Sequence, residues 1–118
     1  VLVQVAYAIG VAEPVGLYVT TYGTTNVKDA PPKIMTDGNI AAIVHDIFDM
    51  RPYAMVERLK LRNPIYSKTA AYGHMGKTPF KDKIDFGKNG KSKIREVEFF
   101  TWEKLDYVAR IKKAFQLT

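Results

Sequence analysis

The spacing of apolar residues changes within the first half of the chain, and this change most constrains which elements can form. Over residues 1–22, β-branched and aromatic side chains alternate or run on both parities, which is typical of strands. This predicts a central strand over residues 1–7 and a hairpin partner over residues 15–22. Farther on, apolar residues recur at helical intervals, at Ile40, Ile43, Val44, Ile47 and Phe48. Their spacing predicts a helix with one buried face.

The segments around this helix give further signals. Residues 23–32 are predicted to form a loop, because two consecutive prolines end the segment and interrupt regular structure. Thr36 or Asp37 is suited to cap the helix at its N-terminus. Pro52 suits the first position of a second helix that runs to Leu59. The last quarter predicts a β-prone stretch and a closing amphipathic helix.

Three blocks of the sequence form a distinctive set, and in the last of them the order of small, aromatic and polar residues is too irregular for helix or strand periodicity. They read Q-V-A-Y-A-I-G-V-A-E-P over residues 4–14, F-D-M-R-P over residues 48–52, and P-I-Y-S-K-T-A-A-Y-G-H-M-G over residues 64–76. In the same order they resemble three blocks of S-adenosylmethionine synthetase (methionine adenosyltransferase): Q-V-S-Y-A-I-G-V-A-x-P, F-D-L-R-P and P-I-Y-x-x-T-A-A-Y-G-H-F-G-R. Met75 and Lys77 depart from the last block. The step F-T-W-E at residues 100–103 resembles the family's F-P-W-E.

The resemblance implies an α+β fold: a two-layer sheet with helices on one face, one of the three similar intertwined domains of the synthetase, here truncated. Residues 1–118 would be the C-terminal domain, with a basic insertion loop at about 77–95. Its role would be structural and pocket-forming. The parent enzyme would make S-adenosylmethionine from ATP, methionine and water, use Mg²⁺ and K⁺ as cofactors, and assemble as a homo-oligomer. Because Val1 begins within an apolar run, we expect the chain to be a fragment.

The family's phosphate- and metal-binding segments are an H-P-D stretch, a G-H-P-D-x-K-type region and a G-G-A-F-S-G-K-D loop, and this sequence contains none of them. No catalytic or metal residue is therefore assigned, and the fragment alone is expected to be inactive. Ile9 is the one candidate substrate-binding residue, because the resemblance puts the isoleucine of Y-A-I-G at the active-site wall. From its chemistry alone Ile9 is predicted to be a core residue. Gly10 beside it permits close backbone approach.

Two other features invite a catalytic interpretation. Residues 71–78 match a relaxed phosphate-loop pattern in which alanine replaces the first glycine. Such a loop needs a buried strand before it and a helix after it, and neither is predicted there. His74 has the chemistry of a general base, but a histidine beside glycines without a visible partner is more often a hydrogen-bonding anchor of a turn.

The segment around the second block also offers a possible metal site. Asp46 and Asp49 are three residues apart and could form a carboxylate pair. The structural alternative is that Asp49 caps the second helix while Arg51 ties the helix junction through charge-assisted hydrogen bonds. His45 has no second histidine or carboxylate at ligand spacing on its helix face and is predicted to lie at the rim.

The net charge of +6 is concentrated at residues 77–95, which carry seven basic and two acidic residues. Glycines and few apolar residues predict a mobile, solvated loop here. With Phe80 and Phe86 inside it, the alternative is a basic nucleic-acid-binding module, although no nucleic-acid motif accompanies it. The chain has no cysteine and no run long enough to span a membrane. We expect a soluble, cytoplasmic protein without a nucleic-acid or membrane partner.

Overall fold

Two antiparallel hairpins and four helices make up the described part of the chain, residues 1–28 and 33–117 of a computed structural model. The strands are β1 (Leu2–Ala6), β2 (Gly16–Thr20), β3 (Phe80–Asp85) and β4 (Ile94–Phe99). The helices are α1 (Asp37–Ile47), α2 (Pro52–Arg58), α3 (Tyr66–Thr69) and α4 (Val108–Ala114), with a 3₁₀ turn at Thr101–Glu103. The α+β class is confirmed, with the strands in two separate two-stranded sheets. Over the described residues, no helix has the length and apolar character needed to cross a bilayer.

The chain divides into two compact units, and the first contains residues 1–55 together with the segment from Tyr107 onward. Here β1 and β2 pair with Val3 opposite Val19, and α1 packs against β2. The buried core consists of Val19, Ile40, Ile47 and Phe115. The predicted helix is confirmed, and the hydroxyl of Thr36 caps it by accepting a hydrogen bond from the Asn39 amide at 3.2 Å.

The first turn of α1 is also tied to β2. The Asp37 carboxylate accepts hydrogen bonds from the Thr21 hydroxyl at 2.6 Å and from the Thr21 amide at 3.2 Å. These two bonds hold the pKa of Asp37 below its ordinary value, the hydroxyl bond being the larger cause. The carboxylate also lies at the helix end where negative charge is favoured. Helix and hairpin are thus joined by polar contacts as well as by the apolar core.

The prediction that residues 1–7 form a central strand is wrong for the described residues, in which β1 pairs with β2 alone. Leu2 and Val3 remain 45% and 43% exposed. That prediction was based on apolar residues at both odd and even positions of the strand. In the structure these residues form an exposed apolar surface rather than packing against a second neighbouring strand. Residues 23–27 lie outside helices and strands, as predicted. The rest of the predicted loop, residues 29–32 with both prolines, lies outside the described residues.

The second unit, Val56–Asp106, overturns the prediction of a mobile basic loop over residues 77–92. Strand β3 lies inside that segment and pairs with β4 in register, with Phe80 opposite Phe99 and Ile84 opposite Arg95. Alternation puts Phe80 and Ile84 on the face that packs on the core, and Lys81 and Lys83 on the other face. The lysines therefore lie on the solvated side of a strand rather than in a loop.

Strand β3 covers part of the apolar core of this unit. Ile65 and Phe99 are fully buried, with Val97 and Phe100 beside them. The Phe80 ring stacks on Phe99 with a centroid distance of 4.9 Å. At the tip, the Asp85 carboxylate accepts hydrogen bonds from the amides of residues 87 and 93 and from the hydroxyl of residue 92. The Ser92 bond is the main cause that lowers the pKa of Asp85.

Deleting residues 78–92 from the full-length protein should destabilise this unit strongly, because the deletion removes β3 and uncovers Phe99. For scale, truncating a fully buried phenylalanine such as Phe99 typically costs about 3–5 kcal/mol, and the deletion exposes part of that side chain. Replacing residues 87–92 by Asn-Gly is the matched control, because the Phe86 amide donates to the Lys93 carbonyl at 2.9 Å and a two-residue turn suits such a pair. Amide hydrogen exchange at β4 should rise in the deletion and stay low in the control. Equal protection in both proteins would restore the solvated-loop interpretation.

Candidate functional site

The first two sequence blocks meet in the first unit. The Tyr7 hydroxyl donates a hydrogen bond to the Met50 backbone carbonyl at 2.5 Å, across 43 residues of sequence. Nearby, the Glu13 carboxylate lies 3.7 Å from the Arg51 guanidinium. The connection between β1 and β2 is therefore attached to the segment between α1 and α2 at two points. This long-range attachment could not be deduced from either block alone.

Asp49 and Arg51 form the fixed part of this attachment. The Arg51 guanidinium donates from Nε to Asp49 Oδ1 at 2.9 Å and from Nη2 to Oδ2 at 2.6 Å, and the Arg51 amide donates to Oδ1 at 3.1 Å. The hydrogen bonds that Arg51 donates to the Asp49 carboxylate, together with its negative charge, raise the pKa of Arg51 above its ordinary value, and the charge of Glu13 is a smaller cause. The predicted role of Arg51 as a tie at the helix junction is confirmed.

The alternative of a metal site at Asp46 and Asp49 does not fit this geometry. Asp49 is engaged by Arg51 in a bidentate pair, and the Asp46 side chain is 86% exposed. The neighbouring His45 side chain is 57% exposed, which confirms its predicted place at the rim. Over residues 1–28 and 33–117, no group of three or more histidines and carboxylates is arranged to hold a metal ion.

Ile9 lies at the turn of the β1–β2 connection and is fully exposed, at 106% of its reference area. It is therefore no core residue of the described chain. The Val11 amide donates to the Ala8 carbonyl at 3.2 Å and closes the turn. Gly10 adopts φ +80°, a conformation that favours glycine. The turn consequently presents the Ile9 side chain to solvent. A ligand or another part of the protein could therefore make an apolar contact with it.

A small cavity of about 170 Å³ adjoins this region and is lined by Glu13, Pro14, His45, Asp46, Phe48, Asp49 and Met50. Ligand pockets usually enclose about 300–1,000 Å³, so this cavity does not by itself form a substrate pocket. The second unit contains a larger open cavity of about 540 Å³. Charged side chains of both signs line it, at Glu57, Lys60, Arg62, Lys81, Arg95, Glu96 and Glu98. The spacing of apolar residues in the sequence did not predict either cavity.

The third block folds in the second unit as α3 followed by turns. Tyr66 donates from its hydroxyl to the Leu61 carbonyl at 2.5 Å, and Thr69 donates to the Ile65 carbonyl at 2.9 Å. Tyr72 and Gly73 both have positive φ, at 56° and 75°. Helix α3 precedes residues 71–78 and strand β3 follows them. This order is the reverse of a phosphate loop, which excludes that interpretation.

The F-T-W-E step fastens the third block. Trp102 Nε1 donates to the His74 carbonyl at 3.0 Å, and the two rings meet edge to face at 5.9 Å. The Thr101 hydroxyl donates to the Leu59 carbonyl at 2.6 Å. The turn is thus anchored at His74 through its backbone carbonyl, and the imidazole contributes an edge-to-face contact with Trp102 rather than the hydrogen bond that was predicted for it.

The two aromatic residues of the basic segment make their contacts within the second unit. Phe80 stacks on Phe99, and Phe86 packs against the core of the second unit. The Asp82 carboxylate pairs with Lys68, and this bond is the main cause that lowers the pKa of Asp82. Binding of single-stranded nucleic acid depends on free aromatic faces beside cations. The nucleic-acid alternative is therefore not supported.

Comparisons with known proteins agree with the three blocks. A family model described as the C-terminal domain of S-adenosylmethionine synthetase matches residues 1–85. The S-adenosylmethionine synthase of Cytophaga hutchinsonii is 60% identical over 116 residues, which cover 98% of this chain and 26% of that protein. Those of Bacteroides thetaiotaomicron and Christiangramia forsetii are 56% and 58% identical over 98% and 99% of the chain, and 26% and 27% of their own lengths. The chain thus spans about a quarter of the curated relatives that it matches.

Proposed function

Because the chain belongs to the family of S-adenosylmethionine synthetase C-terminal domains, we propose that it is the structural and pocket-wall domain of a methionine adenosyltransferase. In the parent reaction the methionine sulfur attacks C5′ of the ATP ribose, triphosphate leaves and is then hydrolysed with water. ATP and methionine are the proposed substrates. The observation that carries the role of this domain is Ile9, fully exposed on a turn that is tied to the second block.

The proposed cofactors of the parent are Mg²⁺ and K⁺, which would neutralise charge on the leaving phosphates. Their ligands are proposed to come from segments outside this chain. Two observations support this division. Asp37, Asp49, Asp82 and Asp85 are each engaged by hydrogen bonds within their own unit, and over residues 1–28 and 33–117 no three histidines or carboxylates are grouped to hold a metal ion. The contribution of this chain is therefore shape and apolar contact rather than charge at the reacting atoms.

The proposed domain comprises residues 1–118, and the segment at about 77–95 is proposed to be an insertion relative to shorter family members. One observation supports this: the family model stops within the segment, at residue 85. Exposed apolar residues of the β1–β2 hairpin, among them Leu2, Val3 and Tyr18, support a homo-oligomeric parent, because such surfaces are usually covered. The absence of cysteine fits a cytoplasmic enzyme.

Hydrogen exchange in the complete enzyme tests the pocket-wall role. Methionine added with a non-reactive ATP analogue should slow amide exchange over residues 8–11, because substrate would desolvate the turn around Ile9. Residues 87–91, at the tip of the β3–β4 hairpin, serve as the internal control and should exchange at an unchanged rate. Unchanged exchange over residues 8–11 at saturating methionine would contradict the proposed wall.

A further inference from the structure

The connection that carries Ile9 is held at its ends rather than along its length. At the strand side, the Val15 amide donates to the Ala6 carbonyl at 2.9 Å. Within the connection, Tyr7 is attached to Met50 and Glu13 faces Arg51. Between these points the apolar residues are exposed, with Ile9 at 106% and Val11 at 48%. Apolar packing within this unit therefore contributes little to the conformation of the turn.

The other side of the attachment is rigid. Asp49 holds Arg51 through two parallel hydrogen bonds, so the cation that Glu13 meets is fixed in orientation. Met50, which accepts the Tyr7 hydrogen bond, is 9% exposed and lies between the residues of this pair. A turn held by the Tyr7 hydrogen bond, with Glu13 beside this cation, thus loses part of its conformational freedom before any substrate arrives.

We propose that Tyr7 and Arg51 are positioning residues for methionine, which hold the β1–β2 connection so that Ile9 is preset against the substrate. This inference rests on the proposed function, because it assigns the two residues an effect exerted through Ile9. A preset wall lowers the entropy lost on binding. An unattached turn would sample many conformations, and only the fraction with Ile9 in place would bind methionine well.

Steady-state kinetics of the complete enzyme test the proposal through Tyr7→Phe, which removes one hydroxyl and keeps the ring. One hydrogen bond of this kind changes an equilibrium by about three- to tenfold. KM for methionine should rise by that factor, with kcat within about twofold of the unmodified enzyme. Tyr53→Phe removes a hydroxyl that is on a side chain 69% exposed and is the matched control. A purely structural role would instead lower the melting temperature and the active fraction and leave KM unchanged.

A double-mutant cycle shows whether Tyr7 acts through Ile9. Tyr7→Phe combined with Ile9→Ala should raise KM for methionine no more than Ile9→Ala alone, because a truncated side chain leaves nothing to position. The proposal would be overturned if the increase in KM of the double variant equalled the product of the two single increases. A normal KM for methionine in Tyr7→Phe, when Ile9→Ala has a raised KM, would also overturn it. Normal methionine kinetics in Ile9→Ala would overturn the pocket-wall function itself, so the two failures are distinguishable. Arg51→Lys should show part of the Tyr7→Phe defect, because lysine keeps the charge and loses the bidentate pair.

Discussion

The isolated chain, expressed in a host without its own synthetase, should form no S-adenosylmethionine from ATP and methionine in the presence of Mg²⁺ and K⁺. The sequence lacks the phosphate- and metal-binding segments that its family resemblance assigns to the parent. Neutralising charge on the leaving phosphates is usually the largest contribution to catalysis of this kind. The expected effect is therefore complete loss of turnover relative to the complete enzyme.

Radiolabelled methionine provides the assay, with the complete enzyme prepared in the same way as the positive control. Circular dichroism of the isolated chain separates loss of fold from loss of catalytic groups. A folded chain without product supports the account. Product above background from a preparation free of host synthetase would contradict it, since the chain would then carry catalytic groups that the sequence comparison misses.

Helix α1 shows which parts of the fold could be predicted from the sequence. Its apolar residues occur at helical spacing, and the structure buries Ile40 and Ile47 against Val19. Thr36 precedes the helix and caps it. Helix α2 begins at the predicted proline and ends at Arg58, one residue before the predicted end. Local signals were sufficient here because capping and periodicity act within one or two turns.

Strand β3 shows where prediction from composition was wrong. The lysine and glycine content of residues 77–92 predicted a loop, and the alternating positions Phe80, Asp82 and Ile84, which would have indicated a strand, were given less weight. Asp82 stands on the core-facing parity and breaks the apolar pattern, and Lys68 on α3 neutralises it. That partner is distant in sequence, so no local window contains the signal. Register and pairing with β4 likewise depend on contacts that periodicity does not specify.

The sequence predicted which residues belong to the candidate site but not the contacts among them. The blocks identified Ile9 and Arg51, but the attachment of Tyr7 to Met50 and of Trp102 to His74 joins segments that are remote in sequence. The central-strand prediction for residues 1–7 failed for a related reason. The apolar residues of β1 are typical of a strand that is covered on both faces and paired on both edges. Within the described residues, β1 pairs with β2 alone. Exposure of such residues depends on what packs against them.

Ile9→Ala should impair methionine use in the complete enzyme far more than it impairs folding. The side chain is fully exposed in this chain, so its truncation leaves the core of the domain intact. If bound methionine desolvates it, the lost methyl and methylene contacts amount to about 2–3 kcal/mol. Only the part of this energy that is shared with the substrate affects the kinetics, so we expect a fall of roughly 10- to 100-fold in kcat/KM for methionine, equivalent to about 1.4–2.7 kcal/mol. ATP use should change less, because the contact is apolar and made with the other substrate.

The ratio of kcat/KM for methionine between Ile9→Ala and the matched variant Ile94→Ala tests the pocket-wall assignment most directly. Ile94 is also exposed, at 65%, and lies in β4, so the same atoms are removed outside the three sequence blocks. We predict a ratio below about 0.1, with melting temperatures of the two variants within a few degrees of each other. Equal kcat/KM values, or a melting temperature that falls in Ile9→Ala while its folded fraction keeps normal methionine kinetics, would contradict the assignment of Ile9 to the methionine site.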